Sequence, residues 1–340
     1  MITSKLNLNH ELYVKECNVP DIQDEQLLIK VLSCAICGSD LKITKFGNTR
    51  ITEERTIGHE IAGEIVSIGA KVKGFEIGEK ISIGADLPCH ECSFCNNGFV
   101  NLCSKNLAIG YQFDGGFSQY MVVNKFVLQD GPVCKFCNVD PDLACLAEPL
   151  ACAINGVDKA MQCFNLGKPK NSLIFGGGPM GLLIAEYLNY RKVFDITIIE
   201  PNKDRESFIK DNTQFNTLPK ISSENKKFDS IFTACPVFET HELSLKLVSS
   251  SGVINFFGGL PSVSEKLNLS SNEIHYKEIV LMGTHGSTPF FHEKALKLIE
   301  TYEIDLRYLI THKFSLNELE LAFETARSGK GQKIIINPNE

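Results

Sequence analysis

The chain has 340 residues, which is enough for two domains rather than one. Its 43% hydrophobic and 22% charged residues are typical of a globular protein, and no apolar run reaches the roughly 20 residues that span a bilayer. The net charge of −7 argues against a nucleic-acid-binding surface, which would carry a basic patch. Residues 1–10 lack the basic and apolar regions of a signal peptide. We therefore expect a cytoplasmic protein with neither a membrane nor a nucleic acid as its partner.

The first half of the chain, from about Leu27 to Val123, is rich in glycine and in short β-branched runs. The strands and turns predicted within it are Ile61–Gly69, Gly74, Gly78 and Lys80–Gly84. We interpret this region as an all-β, barrel-like body that a cysteine-rich excursion interrupts at residues 88–103. A helix is expected after it, around residues 143–161.

After Pro169, short apolar strands alternate with helical spacing, which predicts a doubly wound parallel sheet. The predicted strands are Ser172–Phe175, Ile196–Glu200, Phe228–Ala234, Val253–Phe257 and Ile279–Met282. Apolar residues at the helical period predict a helix over Met180–Tyr190. Near the C-terminus, Ser315 and Glu318 form a capping box that opens a further helix. The predicted buried residues of that helix are Leu316, Leu319, Phe323 and Ala326.

Four of the 13 cysteines, Cys89, Cys92, Cys95 and Cys103, follow the spacing C-x2-C-x2-C-x7-C. Two-residue spacings let a tight turn direct successive sulfurs at one centre, and four thiolates close the tetrahedral shell that zinc prefers in structural sites. Such a site has no open coordination position, so it would stabilise the lobe without doing chemistry. The alternatives are an iron–sulfur centre or four unrelated buried cysteines. Cys134 and Cys137 also read CxxC but lack partners at a useful spacing, and we interpret them as an incidental pair.

A second group of candidate ligands is spread along the chain: Cys37 in Cys-Gly-Ser-Asp, His59 in Gly-His-Glu and Glu148 in Glu-Pro-Leu. A thiolate, an imidazole and a carboxylate give three ligands and leave one position of a zinc ion open, as in catalytic sites. A metal with an open position lowers the pKa of a bound alcohol by several units, which favours loss of hydride from its carbon. Asp40 could orient His59, or it could be a turn or cap residue.

A glycine-rich turn between a predicted strand and a predicted helix satisfies G-x-G-x-x-G. The residues expected to bind a dinucleotide there are Gly176, Gly178, Pro179, Met180 and Gly181. Glu200 follows 19 residues after Gly181, at the end of the next strand, where its carboxylate would accept hydrogen bonds from ribose hydroxyls and repel a 2′-phosphate. We therefore predict NAD rather than NADP, although Arg205 and Lys203 nearby leave NADP open.

Together, these motifs resemble the zinc-containing medium-chain dehydrogenase/reductase family. The resemblance covers essentially the whole chain and includes Asp114–Tyr120 and Gly258–Pro261. It implies an α/β protein in which residues 1–150 and 290–340 form a GroES-like zinc-binding domain and residues 151–289 a Rossmann domain for NAD. It also implies an oxidoreductase that forms dimers or tetramers.

The resemblance assigns roles to single residues. It implies that Cys37, His59 and Glu148 hold the catalytic zinc and that Glu60 is an exchangeable carboxylate ligand. Ser39 matches the hydroxyl that relays the alcohol proton, and Lys42 stands where many members carry the outer histidine of this relay. The residues expected to meet the nicotinamide carboxamide include Gly258 and Thr284.

Within the family, the stretches Ile274–Pro289 and Leu309–Phe314 and the glutamate at 148 are most similar to the sorbitol (L-iditol 2-)dehydrogenase-like branch. The Arg–Tyr pair that mammalian sorbitol dehydrogenases use for polyol hydroxyls is absent from the local sequence Gly283–Ser287, which argues against free sorbitol. We therefore predict a small-molecule alcohol substrate of the polyol or sugar-derived class, with polyol phosphates and L-threonine as alternatives. His285 is a candidate pocket residue, and this role stays open.

Three other functions are weighed against this one. A zinc-independent quinone or alkene reductase would lack the cysteine lobe and the Cys–His–Glu set. A zinc-finger-like nucleic-acid binder built on residues 89–103 is disfavoured by the net acidity and the glycine turn. A catalytically inactive NAD-binding regulator is disfavoured by the complete metal-ligand set.

Overall fold

The computed structural model describes residues 1–164, 167–221, 226–261 and 266–340. The chain divides into two compact units, Met1–Ala151 with Gly286–Glu340, and Cys152–His285. Among the described residues, no helix is both long and apolar enough to cross a membrane.

The strands are β1 (Ile2–Leu6), β2 (Leu12–Glu16), β3 (Leu27–Ala35), β4 (Glu60–Ile68), β5 (Lys80–Ile83), β6 (Asp86–Leu87), β7 (Leu107–Ala108), β8 (Tyr120–Val123), β9 (Val133–Phe136), β10 (Asn171–Phe175), β11 (Asp195–Ile199), β12 (Asn216–Leu218), β13 (Phe228–Thr233), β14 (Val248–Phe256), β15 (Val280–Gly283), β16 (Ile310–Ser315) and β17 (Lys333–Asn337).

The α-helices are α1 (Gly38–Phe46), α2 (Ser93–Asn96), α3 (Lys125–Asp130), α4 (Pro141–Ala144), α5 (Ala147–Gln162), α6 (Pro179–Tyr190), α7 (Lys203–Asn212), α8 (Phe238–Leu247), α9 (Ser271–Tyr276), α10 (Pro289–Glu300) and α11 (Leu319–Ser328).

In the first unit, one mixed sheet follows the order β16-β17-β3-β4-β5-β9, and β8 also pairs with β3. The antiparallel pairing of β3 with β4 sets Ala35 opposite Glu60, so the end of one strand meets the start of the next. Strand β17 pairs with β3 through Ile335 and Ile336. The side chains of β3 and β17 are mostly branched and buried, as expected for central strands of a sheet.

The second unit contains a parallel sheet whose described strands follow the order β12-β11-β10-β13-β14-β15. The strand order reverses at β10, which lies between β11 and β13. In open parallel sheets, ligands bind beyond the carboxyl ends of the strands at such a switch point. The core of the second unit is apolar and includes Leu173, Phe175, Phe228 and Ile254.

The strands predicted from the sequence are found with small shifts at their ends, except that β14 begins at Val248 rather than Val253. The single helix expected around residues 143–161 is two helices, α4 and α5, because Asp140 and Pro141 cap a separate short helix that ends before Cys145. The capping box is present, since the backbone N–H and the hydroxyl of Ser315 both donate to Glu318, at 3.0 and 2.8 Å. The first turn it opens is a 3-10 turn, and α11 begins at Leu319.

Candidate active site

Three side chains of the first unit converge at the place where β3 ends and β4 begins. Cys37 lies just before α1, and His59 and Glu60 follow Gly58. The ligand atoms of Cys37, His59 and Glu60 all lie within 4.8 Å of one another, close enough for a single metal ion. Gly58 has a φ of +94°, and a Cβ there would lie 2.8 Å from the Cys34 sulfur, so a glycine is required at the bend that delivers His59.

The surroundings of this group are anionic and buried. Asp40, which is 1% exposed, accepts a hydrogen bond from the Cys37 N–H at 2.9 Å, and its other oxygen lies 3.6 Å from His59 Nδ1. Burial lowers the pKa of His59, but the negative charges of Asp40 and Cys37 outweigh burial and raise that pKa well above its usual value. A site that favours a proton on a buried imidazole also favours a metal cation there.

The Glu60 carboxylate forms an ion pair that the sequence analysis missed. Lys333 Nζ donates to both of its oxygens, at 2.6 Å to Oε1, and the two residues are 3% and 0% exposed. Burial lowers the pKa of Lys333, but the charge of Glu60 outweighs it and the pKa is raised. The available indication in the sequence was a lysine opening the otherwise apolar strand β17, since charged residues are rarely buried without a partner.

Glu148 lies in the first turn of α5 and is 6% exposed. Burial raises its pKa to about 7, while the charge of His59 lowers it and the charges of Glu60 and Asp86 raise it further. Glu148 is therefore an electrostatic neighbour of the group. It does not belong to the set of ligand atoms within 4.8 Å, which among the described residues contains Glu60 instead.

The residues expected in a proton path are only partly brought together. Ser39 Oγ lies 3.4 Å from His59 Nε2. Lys42 is exposed on α1 and makes no hydrogen bond or ion pair with any residue that the structure describes. Tyr111 lies beside this group, with its ring centroid 6.4 Å from that of His59, and it had not been identified from the sequence.

The four-cysteine lobe also has the geometry of a metal site. The four sulfurs all lie within 4.8 Å of one another, with Cys92 Sγ 3.6 Å from Cys95 Sγ and 3.9 Å from Cys103 Sγ. Zinc–sulfur bonds of roughly 2.3 Å in a tetrahedron separate the sulfurs by about 3.8 Å, far more than the S–S bond of a disulfide. The donor set and its spacing fit zinc.

Local hydrogen bonds tune the thiols of this lobe. Backbone hydrogen bonds from Cys95 and Ser104 lower the pKa of Cys92 to about 5, while burial raises the pKa of Cys95 to about 12. Backbone groups of Glu91 lower the pKa of Cys89. Part of the lobe is thus prepared to supply thiolates, the form that binds metal.

The glycine-rich turn follows β10 directly and opens α6 in the second unit. Gly176 has a φ of +101°, and a Cβ on Gly181 would lie 1.9 Å from the Gly176 oxygen, so the helix can pack this closely on the turn only with glycine. Gly178 caps α6, and Pro179 and Met180 begin it. The free backbone N–H groups of such a helix start favour a phosphate group.

Glu200 lies at the end of β11 beside this turn. Its two carboxylate oxygens accept hydrogen bonds from the backbone N–H groups of Gly177 and Asn202, each at 2.9 Å, and the side chain is 5% exposed. The guanidinium group of Arg205 lies near Gly178, because a Cβ built on Gly178 would be 3.5 Å from Arg205 Nη1. The Glu200 carboxylate is thus fixed at the carboxyl end of the sheet, and the Arg205 guanidinium group lies near the same turn.

The remaining predicted cofactor residues follow β14 and β15. The Gly258 N–H donates to the Thr233 oxygen at 2.6 Å, and the Thr284 hydroxyl donates to Asn255 at 3.1 Å. All of these residues lie at the carboxyl ends of parallel strands. His285 is exposed, and its carbonyl oxygen accepts a hydrogen bond from Asn155.

Comparison with known proteins shows similarity to alcohol dehydrogenases. Residues 23–130 match the alcohol dehydrogenase GroES-like domain family. D-altritol 5-dehydrogenase of Agrobacterium fabrum is 29% identical over 313 residues, which cover 89% of each chain. L-threonine 3-dehydrogenase of Vibrio cholerae is 28% identical over 98% of each chain. These similarities support the resemblance of the chain to the zinc-containing medium-chain dehydrogenase/reductase family.

Solved structures share the fold of this chain. Galactitol-1-phosphate dehydrogenase of Escherichia coli superimposes with a TM-score of 0.85 at 24% identity, covering 99% of this chain and all of the other. A zinc-binding dehydrogenase of Sinorhizobium meliloti bound to NADP has a TM-score of 0.89 at 24% identity, covering 99% of each chain. The predicted α/β class, the GroES-like region and the parallel sheet are confirmed. The protein is an oxidoreductase, and zinc and a nicotinamide dinucleotide are consistent with these relatives.

Proposed function

We propose that the protein transfers a hydride between NAD and a secondary alcohol of a polyol or sugar-derived substrate, at a catalytic zinc. The observation that carries this proposal is the convergence of Cys37, His59 and Glu60 within 4.8 Å, with the buried carboxyl group of Glu148 as a close electrostatic neighbour. One thiolate, one imidazole and one carboxylate are the donor set of an open, catalytic zinc site.

In this proposal, Cys37, His59 and Glu148 hold the catalytic zinc, and Glu60 is an alternative ligand that Lys333 retains by its ion pair. Cys89, Cys92, Cys95 and Cys103 hold a second, structural zinc. When bound, zinc supplies the Lewis acidity that lowers the pKa of an alcohol, and the nicotinamide accepts the hydride.

The protein's own groups position these reactants and move the proton. Asp40 holds the turn before α1 through the Cys37 N–H and lies beside His59 Nδ1, so it fixes both side chains. The Ser39 hydroxyl takes the alcohol proton and hands it outward. Lys42, exposed on the same helix, is the proposed outer acceptor of that proton.

For the cofactor, we propose that Gly176, Gly178, Pro179, Met180 and Gly181 bind the pyrophosphate, and that Gly258 and Thr284 meet the carboxamide. Glu200 is fixed by two backbone N–H groups, so a 2′-phosphate would meet an immobile carboxylate. Arg205 is the cation that could offset this repulsion. A ratio of kcat/KM with NAD to that with NADP well above one supports the proposal, and Glu200→Ser should lower this ratio by about tenfold or more.

The decisive experiment combines metal analysis with a substrate panel. Wild-type protein should contain about two zinc ions per chain and produce NADH from at least one polyol. Glu148→Ala should lose one zinc and lower kcat/KM by about 100-fold or more, while the four-sulfur zinc remains. If both metals survive with full activity, the ligand assignment is wrong.

The panel should include polyol phosphates and L-threonine, the alternative substrates. The proposed assembly, a homodimer or homotetramer, is checked independently by light scattering. The proposed cytoplasmic location is checked by cell fractionation.

A further inference from the structure

A second polar cluster lies beside the candidate zinc ligands in the first unit, and the proposed chemistry does not use it. We call Arg50, Asp86, Asn106 and Tyr111 the distal cluster. Arg50 Nη2 donates to the backbone oxygen of Asn106 at 3.1 Å and to Gln112 Oε1 at 3.3 Å. Two neutral acceptors therefore fix the guanidinium group.

One aromatic ring connects this guanidinium group to the candidate ligands. Arg50 Cζ lies 4.8 Å from the centroid of the Tyr111 ring, and that centroid lies 6.4 Å from the centroid of the His59 ring. Ser39, the proposed proton acceptor, lies beside the same imidazole ring, with its Oγ 3.4 Å from His59 Nε2. Arg50 is thus one side chain away from the proposed reacting atoms, a separation that a chain of a few carbons can bridge.

Asp86 supplies the acceptor of the distal cluster. Asn106 Nδ2 donates to Asp86 Oδ1 at 2.7 Å, so Asn106 links the carboxylate to Arg50. Asp86 Oδ2 makes no hydrogen bond or ion pair within the part of the chain that the structure describes. A Cβ at Gly286 would lie only 3.0 Å from this oxygen, so a side chain at position 286 would crowd it. The charge of Asp86 also reaches Glu148, which places it near the candidate ligands from a second direction.

Arg50 and Asp86 offer opposite and complementary hydrogen-bonding groups. No carboxylate among the described residues lies within 4.0 Å of the Arg50 guanidinium, and its Nε and Nη1 donors have no partner there. A guanidinium group can only donate hydrogen bonds and a carboxylate can only accept them, whereas a hydroxyl group does both. Neighbouring hydroxyls satisfy both groups at once, while a phosphate would bind Arg50 but be repelled by Asp86.

We propose that Arg50 and Asp86 bind the hydroxyl groups of the substrate beyond its reacting carbon, and that this pair selects polyols over simple alcohols. This inference rests on the proposed function and specifies the substrate class of the same site. Tyr111 packs between the pair and the reacting end and keeps the guanidinium group at a fixed distance from it.

The test compares a polyol such as xylitol with 2-butanol, which has a secondary hydroxyl and no other. Arg50→Met and Asp86→Asn should each raise the KM for the best polyol by about tenfold or more, with kcat little changed. The KM for 2-butanol should stay within about twofold of the wild-type value. Lys45→Met is the matched control, because it removes an exposed cation from α1 outside the distal cluster, and it should leave both KM values unchanged.

A second readout does not depend on turnover. Calorimetric titration of the zinc-loaded protein with the polyol should show the same loss of affinity in both variants, and thermal unfolding checks that they remain folded. Equal losses for polyol and 2-butanol would overturn the inference, since they indicate a structural role. A preference for a polyol phosphate that Arg50→Met abolishes and Asp86→Asn strengthens would overturn it in favour of an anionic substrate. A wild-type protein that oxidises none of these alcohols would instead refute the proposed function.

Discussion

The four-cysteine lobe and the Cys37–His59–Glu60 group both bring sulfur to a candidate metal site, but they are built in different ways. The lobe takes all of its donors from residues 89–103, around a four-residue helix, and its shape follows from local spacing. The other group takes its donors from two strand ends that only the β3–β4 pairing brings together. A closed structural site can be specified locally, whereas the open site depends on the whole sheet.

Their electrostatic surroundings differ as well. In the lobe, backbone N–H groups lower the pKa of Cys92 and Cys89 next to solvent. In the open group the carboxylate of Glu60 is fully buried and neutralised by Lys333, and Asp40 acts on His59 from within the protein. The lobe binds a metal with its own backbone and sulfurs, while the open group is surrounded by charged side chains that can also act on a substrate.

The largest expected effect separates the two sites by activity. Cys37→Ser removes the only sulfur of the open group, so kcat/KM should fall by about 1,000-fold, or roughly 4 kcal/mol of transition-state stabilisation. The thermal midpoint should change little, because the lobe is untouched. Steady-state kinetics and zinc content measure the two quantities. Cys92→Ser is the converse control, and loss of stability in Cys37→Ser with activity retained would reverse the assigned roles.

The next largest effect tests whether the buried charge of Glu60 in the open group depends on Lys333 for its neutralisation. Lys333→Met leaves the Glu60 carboxylate buried without a cation, which should lower the free energy of unfolding by about 3 kcal/mol. Lys333→Met combined with Glu60→Gln should recover part of this loss, because no uncompensated charge remains. Urea unfolding of the single and double variants measures both values. An additive double variant would show that the two residues are not coupled.

The fold is itself sensitive to acid, and this sensitivity must be measured before metal loss at low pH is compared between the two sites. His292 is fully buried, and burial lowers its pKa from 6.5 to about 4. Below pH 6.5, His292 binds a proton in the unfolded chain but not in the folded chain. Its contribution to the free energy of unfolding is therefore present at neutral pH and is lost as the pH falls. Between pH 7 and pH 5 this group alone should cost about 2 kcal/mol.

His292→Gln removes this titration and keeps a donor for Ser82, which lies 3.1 Å from His292 Nε2. The difference in unfolding free energy between pH 7 and pH 5 should therefore be smaller in the variant than in the wild type. Equal differences in the two proteins would refute the assignment. The acid sensitivity that remains in the variant belongs to the metal sites and other groups.

The smallest expected effect concerns the second CxxC pair. Cys134 lies on β9 with its pKa raised by burial to about 11, and Cys137 is exposed. Cys134→Ser should leave the zinc content at its wild-type value and change stability by about 1 kcal/mol or less. Loss of a zinc ion from this variant would show that a CxxC spacing without further partners had been misinterpreted.

Features set by local spacing were predictable from the sequence. The lobe, the glycine turn and the capping box of Ser315 each depend on residues close together in the chain, and each is found as predicted. The apolar strands of the second unit were predictable because buried parallel strands are continuous apolar runs.

Contacts between distant residues were not predictable. Lys333 reaches Glu60 only because β17 pairs with β3, and Arg50 reaches Tyr111 only through the folding of two loops. No periodicity or motif relates these positions. For the same reason, the sequence analysis did not identify Tyr111, whose ring centroid lies 6.4 Å from that of His59. The role of Lys42 in the outer proton path stays a prediction.

The central claim, one closed and one open zinc site, is tested most directly by X-ray absorption at the zinc edge. The account predicts an average of about 2.5 sulfurs per zinc in the wild-type protein, because a four-sulfur site and a one-sulfur site contribute equally. In Cys37→Ser, the remaining zinc should show about four sulfurs at roughly 2.3 Å. A wild-type average near four sulfurs, or no change in the sulfur number on substitution of Cys37, would contradict the account.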